Sequence, residues 1–331
     1  MKAYIAMSGG VDSSVSALLM KQAGHDVTGV TLRLHDKQGC GSANDAQEAA
    51  AVCEKLGAPH VTWDAQPRFK ASVMDHFAHS YLQGRTPNPC IVCNPRVKFQ
   101  ALASLNTDFI ATGHYAGVTK GENYYQITRS RTKDQSYMLS RLPQEVLRRL
   151  LLPLCHRSKE ENRALAEALH LPVARKKDSQ DLCFCKDYID FLLSRGLSVT
   201  AGDFLMDGQV VGRHKGTPCY TIGQRKNLGI ALGRPAFVTA IDAKNNTVTL
   251  SHADPHTAAA TVTDLVWQTA PRTEFTCTVK TRLAALPVPA TVTVADGVAH
   301  IDFDTPVRAV TPGQTAVLYD GDAVLASGFF A

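Results

Sequence analysis

Over roughly its first 115 residues the chain alternates short apolar runs with helical patterns, and this alternation limits the fold more than any other feature. "AYIAM" (3–7) reads as a buried strand, and "VDSSVSALLMKQAG" follows as a helix that Gly24 would stop. "DVTGVTLRL" is strand-like, and "NDAQEAAAVCEKLG" reads as a helix running from a capping Asn44 to Gly57. "PHVTWDA" reads as a strand, "RFKASVMDHFAHSYLQG" as a long helix and "DFIATGH" (108–114) as another strand. Such alternation predicts an α/β fold, a parallel sheet covered by helices on both faces. Residues 117–128, "GVTKGENYYQIT", read as a hairpin, and helical patterns resume in "SKEENRALAEALHL" and "CKDYIDFLLSRG".

After about residue 197 helical periodicity disappears and Thr, Val and Gly dominate. Hairpin signals appear at Asn245–Asn246, Asp296–Gly297 and Asp320–Gly321. At 331 residues the chain exceeds what one compact core supports. We expect three domains: an α/β domain at 1–196, a small β-rich domain at 197–258 and a β-barrel at 259–331.

No apolar run approaches the roughly 18 residues a membrane helix needs, and "MKAYIAMSGG" lacks the apolar core of a signal peptide. A cytoplasmic protein is therefore expected, with reduced thiols. Net charge is +5, compatible with a polyanionic partner. Of nine cysteines, Cys40, Cys53, Cys155, Cys219 and Cys277 stand alone and read as ordinary small buried or half-buried residues. Cys90/Cys93 and Cys183/Cys185 are the clusters.

"AMSGGVDSS" joins the first strand to the first helix. Gly9 and Gly10 allow a sharp turn, and Ser8, Asp12, Ser13 and Ser14 crowd a helix N-terminus, whose unpaired N–H groups and positive end suit phosphate. A plain glycine turn with a polar cap would look the same. The run has no Gly-Lys-Ser/Thr and is not G-x-G-x-x-G. In "GRTPNPCIVCNPRVKF", Asn94 and Pro95 read as a cap and a first helical residue. That reading puts Cys93 just before a helix N-terminus with Arg96 and Lys98 close behind, a setting that favours thiolate. Cys183 follows Lys176 and Lys177 ahead of another helical pattern.

The run S-G-G-x-D-S resembles the pyrophosphate loop of the ATP pyrophosphatase superfamily. With it, in order, stand G-R-T-P-N-P-x-x-x-C-N, A-T-G-H-Y, K-D-Q-S-Y, K-K-D-S…C-F, T-x-G-Q-R-K-x-L-G-I, K-T-R and V-T-P-G-Q. Together they resemble the bacterial tRNA-specific 2-thiouridylase family along nearly the whole chain. The resemblance implies an adenine nucleotide α-hydrolase-like N-terminal domain, then a central β domain and a tRNA-gripping barrel. It implies adenylation of the C2 oxygen of the tRNA wobble uridine, in Lys, Glu and Gln acceptors, followed by replacement of that oxygen with sulfur. ATP would be held by Ala6, Met7, Ser8, Gly9, Gly10, Val11, Asp12, Ser13, Leu32 and Gly113, with Mg²⁺ on Asp12 and the phosphates. Cys183 would carry a persulfide from a cysteine desulfurase or relay protein, and Cys93 would be its partner. Asn88, Pro89 and Cys90 match the segment beside the target base. His114, Lys133, Asp134, Gln135, Arg282, Leu283 and Gln314 match tRNA-contacting positions. A monomer is expected.

Position 90 departs from the family, whose usual residue there is Asp. Cys90 would be a lip residue, inert or redox-active; or Cys90, Cys93 and Cys183 would hold an iron–sulfur cluster, as three cysteines do in related thiolation enzymes. A zinc site that adds Cys185 is a third reading, although C-x-C is poor spacing for a closed zinc knuckle. "RSRTKDQ", "ARKK", Arg282 and Arg308 suggest a basic track for RNA phosphates, and Trp63 and Trp267 read as core or boundary fillers. Two rival functions are a small-molecule adenylating ligase, which the distal cysteine and β domains disfavour, and a non-catalytic tRNA-binding protein, which Asp12 and the thiols disfavour.

Overall fold

The computed structural model describes residues 1–36, 41–176 and 182–331. Two sequence readings, Cys40 as an ordinary thiol and Lys177 as a cation ahead of Cys183, lie outside the described residues.

The N-terminal apolar runs form β1 (Lys2–Ala6), β2 (Asp26–Arg33), β3 (His60–Asp64) and β4 (Phe109–Thr112). A hairpin of β5 (Ala116–Lys120) and β6 (Tyr125–Arg129) follows, then the short β7 (Leu150–Leu151). A five-stranded parallel sheet has the order β3-β2-β1-β4-β7. The chain winds outward from β1 to β3, then returns to the other side of β1 to lay down β4. Beyond the carboxyl ends of β1 and β4 a crevice opens, the place where open α/β sheets bind ligands.

The helices are α1 (Val11–Gln22), α2 (Ala43–Leu56), α3 (Gln66–Phe69), α4 (Asp75–Leu82), α5 (Pro89–Cys93), α6 (Phe99–Ala103), α7 (Ser136–Leu139), α8 (Gln144–Leu147), α9 (Lys159–Ala168) and α10 (Tyr188–Ser194). A π-helical turn, Lys70–Met74, joins α3 to α4. Three sequence readings need correction. Ser42, not Asn44, caps α2: its hydroxyl accepts the Asp45 N–H at 3.2 Å, whereas Asn44 already lies within the first turn. Trp63 is 43% exposed, because β3 is the edge strand and is largely exposed along its length.

The third concerns Cys93. The helix begins at Pro89, with the Asn88 side chain accepting the Cys90 N–H at 3.1 Å. It runs through α5, a π turn at Asn94–Lys98 and α6 without interruption. Proline lacks an N–H and clashes with the preceding turn of an α-helix. The wider π turn contains Pro95, so Pro95 does not open a helix. Cys93 is thus within the helix, and Cys90 is in its first turn.

The central sheet comprises β8 (Gly202–Met206), β9 (Gln209–His214), β10 (Phe237–Asp242) and β11 (Thr247–Ser251) in the order β10-β11-β8-β9, over a core that includes Phe204, Tyr220 and Val238. The last six strands are β12 (His256–Trp267), β13 (Glu274–Lys280), β14 (Val288–Ala295), β15 (Val298–Arg308), β16 (Thr315–Asp320) and β17 (Ala323–Phe330). They run β12-β15-β14-β13-β16-β17, and β17 pairs back with β12, closing a barrel. Asp296 and Gly297 both take positive φ between β14 and β15, as a two-residue primed turn requires.

The barrel and the N-terminal domain share a core. Val317, Tyr319 and Val324 pack in one apolar cluster with Tyr137 and Leu139. Gln268, fully buried, accepts the Ile127 N–H at 2.8 Å and donates to the Ser140 carbonyl at 3.1 Å. The β5–β6 hairpin joins the barrel sheet through β17.

Candidate active site

The crevice is lined by Ala6, Met7, Ser8, Asp12 and Ser13 from the first strand–loop–helix, and by Val30, Leu32 and Leu34 from the second strand and its end. Thr112, Gly113 and His114 close the β4 side. Gly9, Gly10 and Val11 belong to the same loop and helix start but are not among the residues that line the crevice. Ser13 Oγ accepts the Ser8 N–H at 3.2 Å and donates to the Gly10 carbonyl at 3.1 Å, so the loop is held by its own serine. The lining combines apolar Val30 and Leu32 with the polar N-terminus of α1, groups suited to a base and to phosphates.

Two glycines are required by space. A Cβ on Gly113 would stand 2.6 Å from backbone atoms of Asp12 and Ser13. Gly9 has φ +61, and its Cβ would meet the Asp45 carbonyl oxygen at 2.7 Å.

Asp12 is fixed by residues the sequence did not single out. Tyr115, fully buried, donates its hydroxyl to Asp12 Oδ1 at 2.7 Å, and Lys159 Nζ lies 2.8 Å from the same oxygen. Asn162, also buried, donates to the Tyr115 hydroxyl at 2.9 Å. A carboxylate and two serine hydroxyls at a helix N-terminus are hard oxygen donors that fit Mg²⁺ beside phosphate.

The helix bearing Cys93 forms another wall of the crevice through Lys98, Phe99 and Leu102. Cys93 is 5% exposed in the N-terminal core, and Cys183 packs against that same core, half-buried. Cys183 and Cys185 also border a cavity with Phe184, Asp187 and Phe191. Among the described residues, no three His, Cys, Asp or Glu side chains gather as a metal-binding group. Among the described residues the thiols, as placed, form neither an iron–sulfur nor a zinc site. Among the described residues the solitary cysteines behave as expected: burial pushes the Cys53 thiol up to about 11 and the Cys277 thiol up to about 12. Burial raises Cys155 and Cys219 as well, which keeps these thiols protonated and quiet.

Positions matched to tRNA contact fall into two groups. Arg282 and Leu283 are exposed on the loop after β13, and Lys133 lies over the Tyr115 ring at 5.3 Å. The others are engaged within the protein. Gln135 exchanges hydrogen bonds with the Tyr115 backbone at 2.9 and 2.8 Å, and also lines the crevice. Asp134 pairs with Arg129 at 3.5 Å and Lys280 at 3.9 Å. Gln314 Nε2 donates to the Thr86 carbonyl. Arg308, read as part of a basic track, is engaged within the protein: its guanidinium binds Asp254 at 2.8 Å and the Gly223 carbonyl at 2.9 Å, joining barrel to central domain.

His114 shares a 2.8 Å hydrogen bond with Thr112 through Nδ1. Desolvation, with Lys98 and Lys133 adding repulsion, pushes its pKa down to about 3. The folded state therefore binds fewer protons than the unfolded state between about pH 6.5 and 3, and stability is lost as pH falls through that window. His114→Gln should flatten this part of the stability profile in thermal unfolding scans; an unchanged profile would count against a neutral imidazole at this half-buried position.

The chain matches three family descriptions in succession: "tRNA methyl transferase HUP domain" over residues 1–187, "tRNA methyl transferase PRC-barrel domain" over 190–252 and "Aminomethyltransferase beta-barrel domain" over 257–330. It is 42% identical over 349 residues to the tRNA-specific 2-thiouridylase MnmA of Chloroflexus aurantiacus, covering 99% of this chain and 97% of the relative. The corresponding protein of Carboxydothermus hydrogenoformans is 41% identical over 353 residues, with 99% and 96% covered. Among solved structures, the U34-tRNA thiolase NcsA from Methanococcus maripaludis with its [4Fe-4S] cluster is similar at a TM-score of 0.34 and 16% identity, over 59% of this chain and 62% of that one. A likeness that low bears on neither mechanism nor metal.

Proposed function

Because this chain belongs to the tRNA-specific 2-thiouridylase family, we propose that it is an ATP-dependent sulfurtransferase acting on the wobble uridine of tRNA. One observation supports this reading above the others: the helix that bears Cys93 also walls the nucleotide crevice with Lys98, Phe99 and Leu102. Activation by ATP and sulfur chemistry then share one rigid element.

The uridine C2 oxygen is a poor leaving group. Attack of that oxygen on the α-phosphorus of ATP releases pyrophosphate and leaves C2 bonded to a good leaving group, AMP. The N-terminus of α1 and the Ser8–Ser13 loop would hold the pyrophosphate, and Leu32 and Gly113 would flank the adenosine. Asp12 would hold Mg²⁺, which when bound offsets phosphate charge. Tyr115 and Lys159 hold the carboxylate oriented for that role.

Cys183 would bear a persulfide supplied by a cysteine desulfurase or relay protein. The Cys93 sulfur attacks the inner sulfur of that persulfide; a Cys93–Cys183 disulfide forms and hydrosulfide leaves. Hydrosulfide adds to C2 and expels AMP, and a dithiol reductant restores both thiols. Burial of Cys93 shields its sulfur from bulk water. Lys, Glu and Gln tRNAs are the expected acceptors, and the enzyme is expected to act as a cytoplasmic monomer.

Reconstitution tests the whole scheme. Protein, ATP, Mg²⁺, unmodified tRNA and a persulfide donor should yield AMP and 2-thiouridine, the latter detected by mass spectrometry of digested nucleosides. ATP–pyrophosphate exchange driven by a small carboxylate, with no response to tRNA, would overturn it. Asp12→Ala should lower AMP formation by about 100-fold or more, the scale of losing one charge-stabilising group.

A further inference from the structure

All three domains meet at Thr86. It lies in the loop after α4, three residues ahead of Pro89, where the helix bearing Cys93 begins. One turn of the barrel grips its backbone on both sides. The Thr86 N–H donates to the Pro312 carbonyl at 2.9 Å, and the Thr86 carbonyl accepts from Gln314 Nε2 at 2.7 Å. The Thr86 hydroxyl donates to Thr221 Oγ1 of the central domain at 3.3 Å.

The surroundings of this grip are close-packed. Gly313 has φ +86, and a Cβ there would stand 3.0 Å from Arg85 Cβ. Gly84 has φ +71, and its Cβ would stand 3.1 Å from Ile241 Cγ2 of the central domain. The barrel turn is itself fixed, with the Gly313 N–H on the Phe330 carbonyl at 3.1 Å and the Phe330 N–H on the Gln314 carbonyl at 2.9 Å. On the other side, Asn88 caps the Pro89 helix, and Asn94 Nδ2 donates to the Met138 carbonyl at 2.8 Å.

We propose that Gln314 is a positioning residue: it acts through Thr86 to hold the Pro89–Ala103 helix, and with it Cys93, in register with the nucleotide crevice. This rests on the sulfurtransferase reading, and it gives Gln314 a role other than tRNA contact. The Gln314 amide is half-buried and already committed to a backbone carbonyl within the protein. A short loop held at both backbone groups passes any displacement of the barrel turn directly to the helix that follows. Placement of the barrel on its RNA and placement of the thiol are then one mechanical event.

The test uses the full-length protein with Gln314→Ala and Gln314→Glu. The second keeps the side-chain length but sets an acceptor against the Thr86 carbonyl. Three quantities are read: tRNA Kd, the single-turnover thiolation rate at saturating tRNA, and amide hydrogen exchange across residues 85–93 in the tRNA-free protein. Expected are a Kd within about twofold of wild type and a thiolation rate lowered roughly 10- to 100-fold, the scale of a small misplacement of reacting groups. AMP released per thiouridine formed should rise, and exchange at Thr86 should accelerate. Weaker tRNA binding with an unchanged saturating rate would overturn the proposal, as would unaltered exchange. Gly313→Ala, which pushes on Arg85 from the same turn, should repeat the pattern and provides a second variant should one fold poorly. Wild-type protein that forms AMP but no thiouridine would sink the sulfurtransferase reading instead, while the exchange measurement would still judge the grip on Thr86.

Discussion

Cys183→Ser and Cys93→Ser should each reduce 2-thiouridine to background while tRNA affinity stays within about twofold. That is the expected result if sulfur passes between these two side chains. A serine hydroxyl can neither carry a persulfide nor, at neutral pH, attack one, so no residual route through either position remains. Neither thiol lies in the exposed Arg282–Leu283 loop, so RNA affinity has no reason to follow the loss. Cys183→Ser should still release AMP when ATP and tRNA are supplied, because activation precedes sulfur transfer. Cys93 is buried in the N-terminal apolar core, where a hydroxyl is more costly to desolvate than a thiol. Cys93→Ala, which avoids that cost, should therefore accompany it. Cys90→Ser provides the contrast: this thiol is exposed in the first turn of the helix and gathers with no three-residue metal-binding group among the described residues. It should retain most thiolation, whereas an iron–sulfur mechanism would lose all three cysteines alike. Normal thiolation by either Cys93→Ser or Cys183→Ser would remove the roles assigned here.

What the sequence showed and what it hid differ by range. S-G-G-V-D-S could be read because the strand, the glycine turn and the helix N-terminus are contiguous and the run resembles a known loop, and Leu32 and Gly113 could be placed only through the family resemblance. Asp12 is fixed by Tyr115 and Lys159, 103 and 147 positions away, and Tyr115 is held in turn by Asn162, 47 positions further on; no local pattern marks residues that meet at such range. Gln314 and Thr86 are 228 residues apart in sequence, yet share a 2.7 Å hydrogen bond. Gln268 is an unremarkable polar residue in the sequence and a fully buried link in the fold. Pro95 misled for a local reason: proline ordinarily marks a helix start or stop, but a π turn removes the clash that makes it so. Arg308 looked like a phosphate ligand because charge is visible in sequence and its compensation by Asp254 is not.

Gly113→Ala should abolish ATP-dependent adenylation in protein that still folds. The new methyl carbon would fall 2.6 Å from the Asp12 carbonyl carbon and the Ser13 nitrogen, and 2.9 Å from the Asp12 carbonyl oxygen. All three are backbone atoms, so no side chain can swing aside. The first turn of α1 has to retreat, yet the Ser16 hydroxyl ties that helix to the Thr112 carbonyl at 3.0 Å, one residue from the substitution. Overpacking of this kind costs about 1–3 kcal/mol. In a large domain each kcal/mol lowers Tm by roughly 2–4 °C, so the variant should remain folded at assay temperature. The displaced turn carries Asp12 and the N–H groups proposed to meet pyrophosphate, and a shift near 1 Å at such a site costs about 100-fold in rate. Gly24→Ala separates the two effects. Gly24 has φ +82 but nothing within 4 Å of an added Cβ, so it carries backbone strain alone, far from the crevice. That variant should lose a comparable amount of stability, about 1–2 kcal/mol, and keep its AMP formation. Wild-type AMP formation by folded Gly113→Ala would mean that the nucleotide is not held where β4 meets α1.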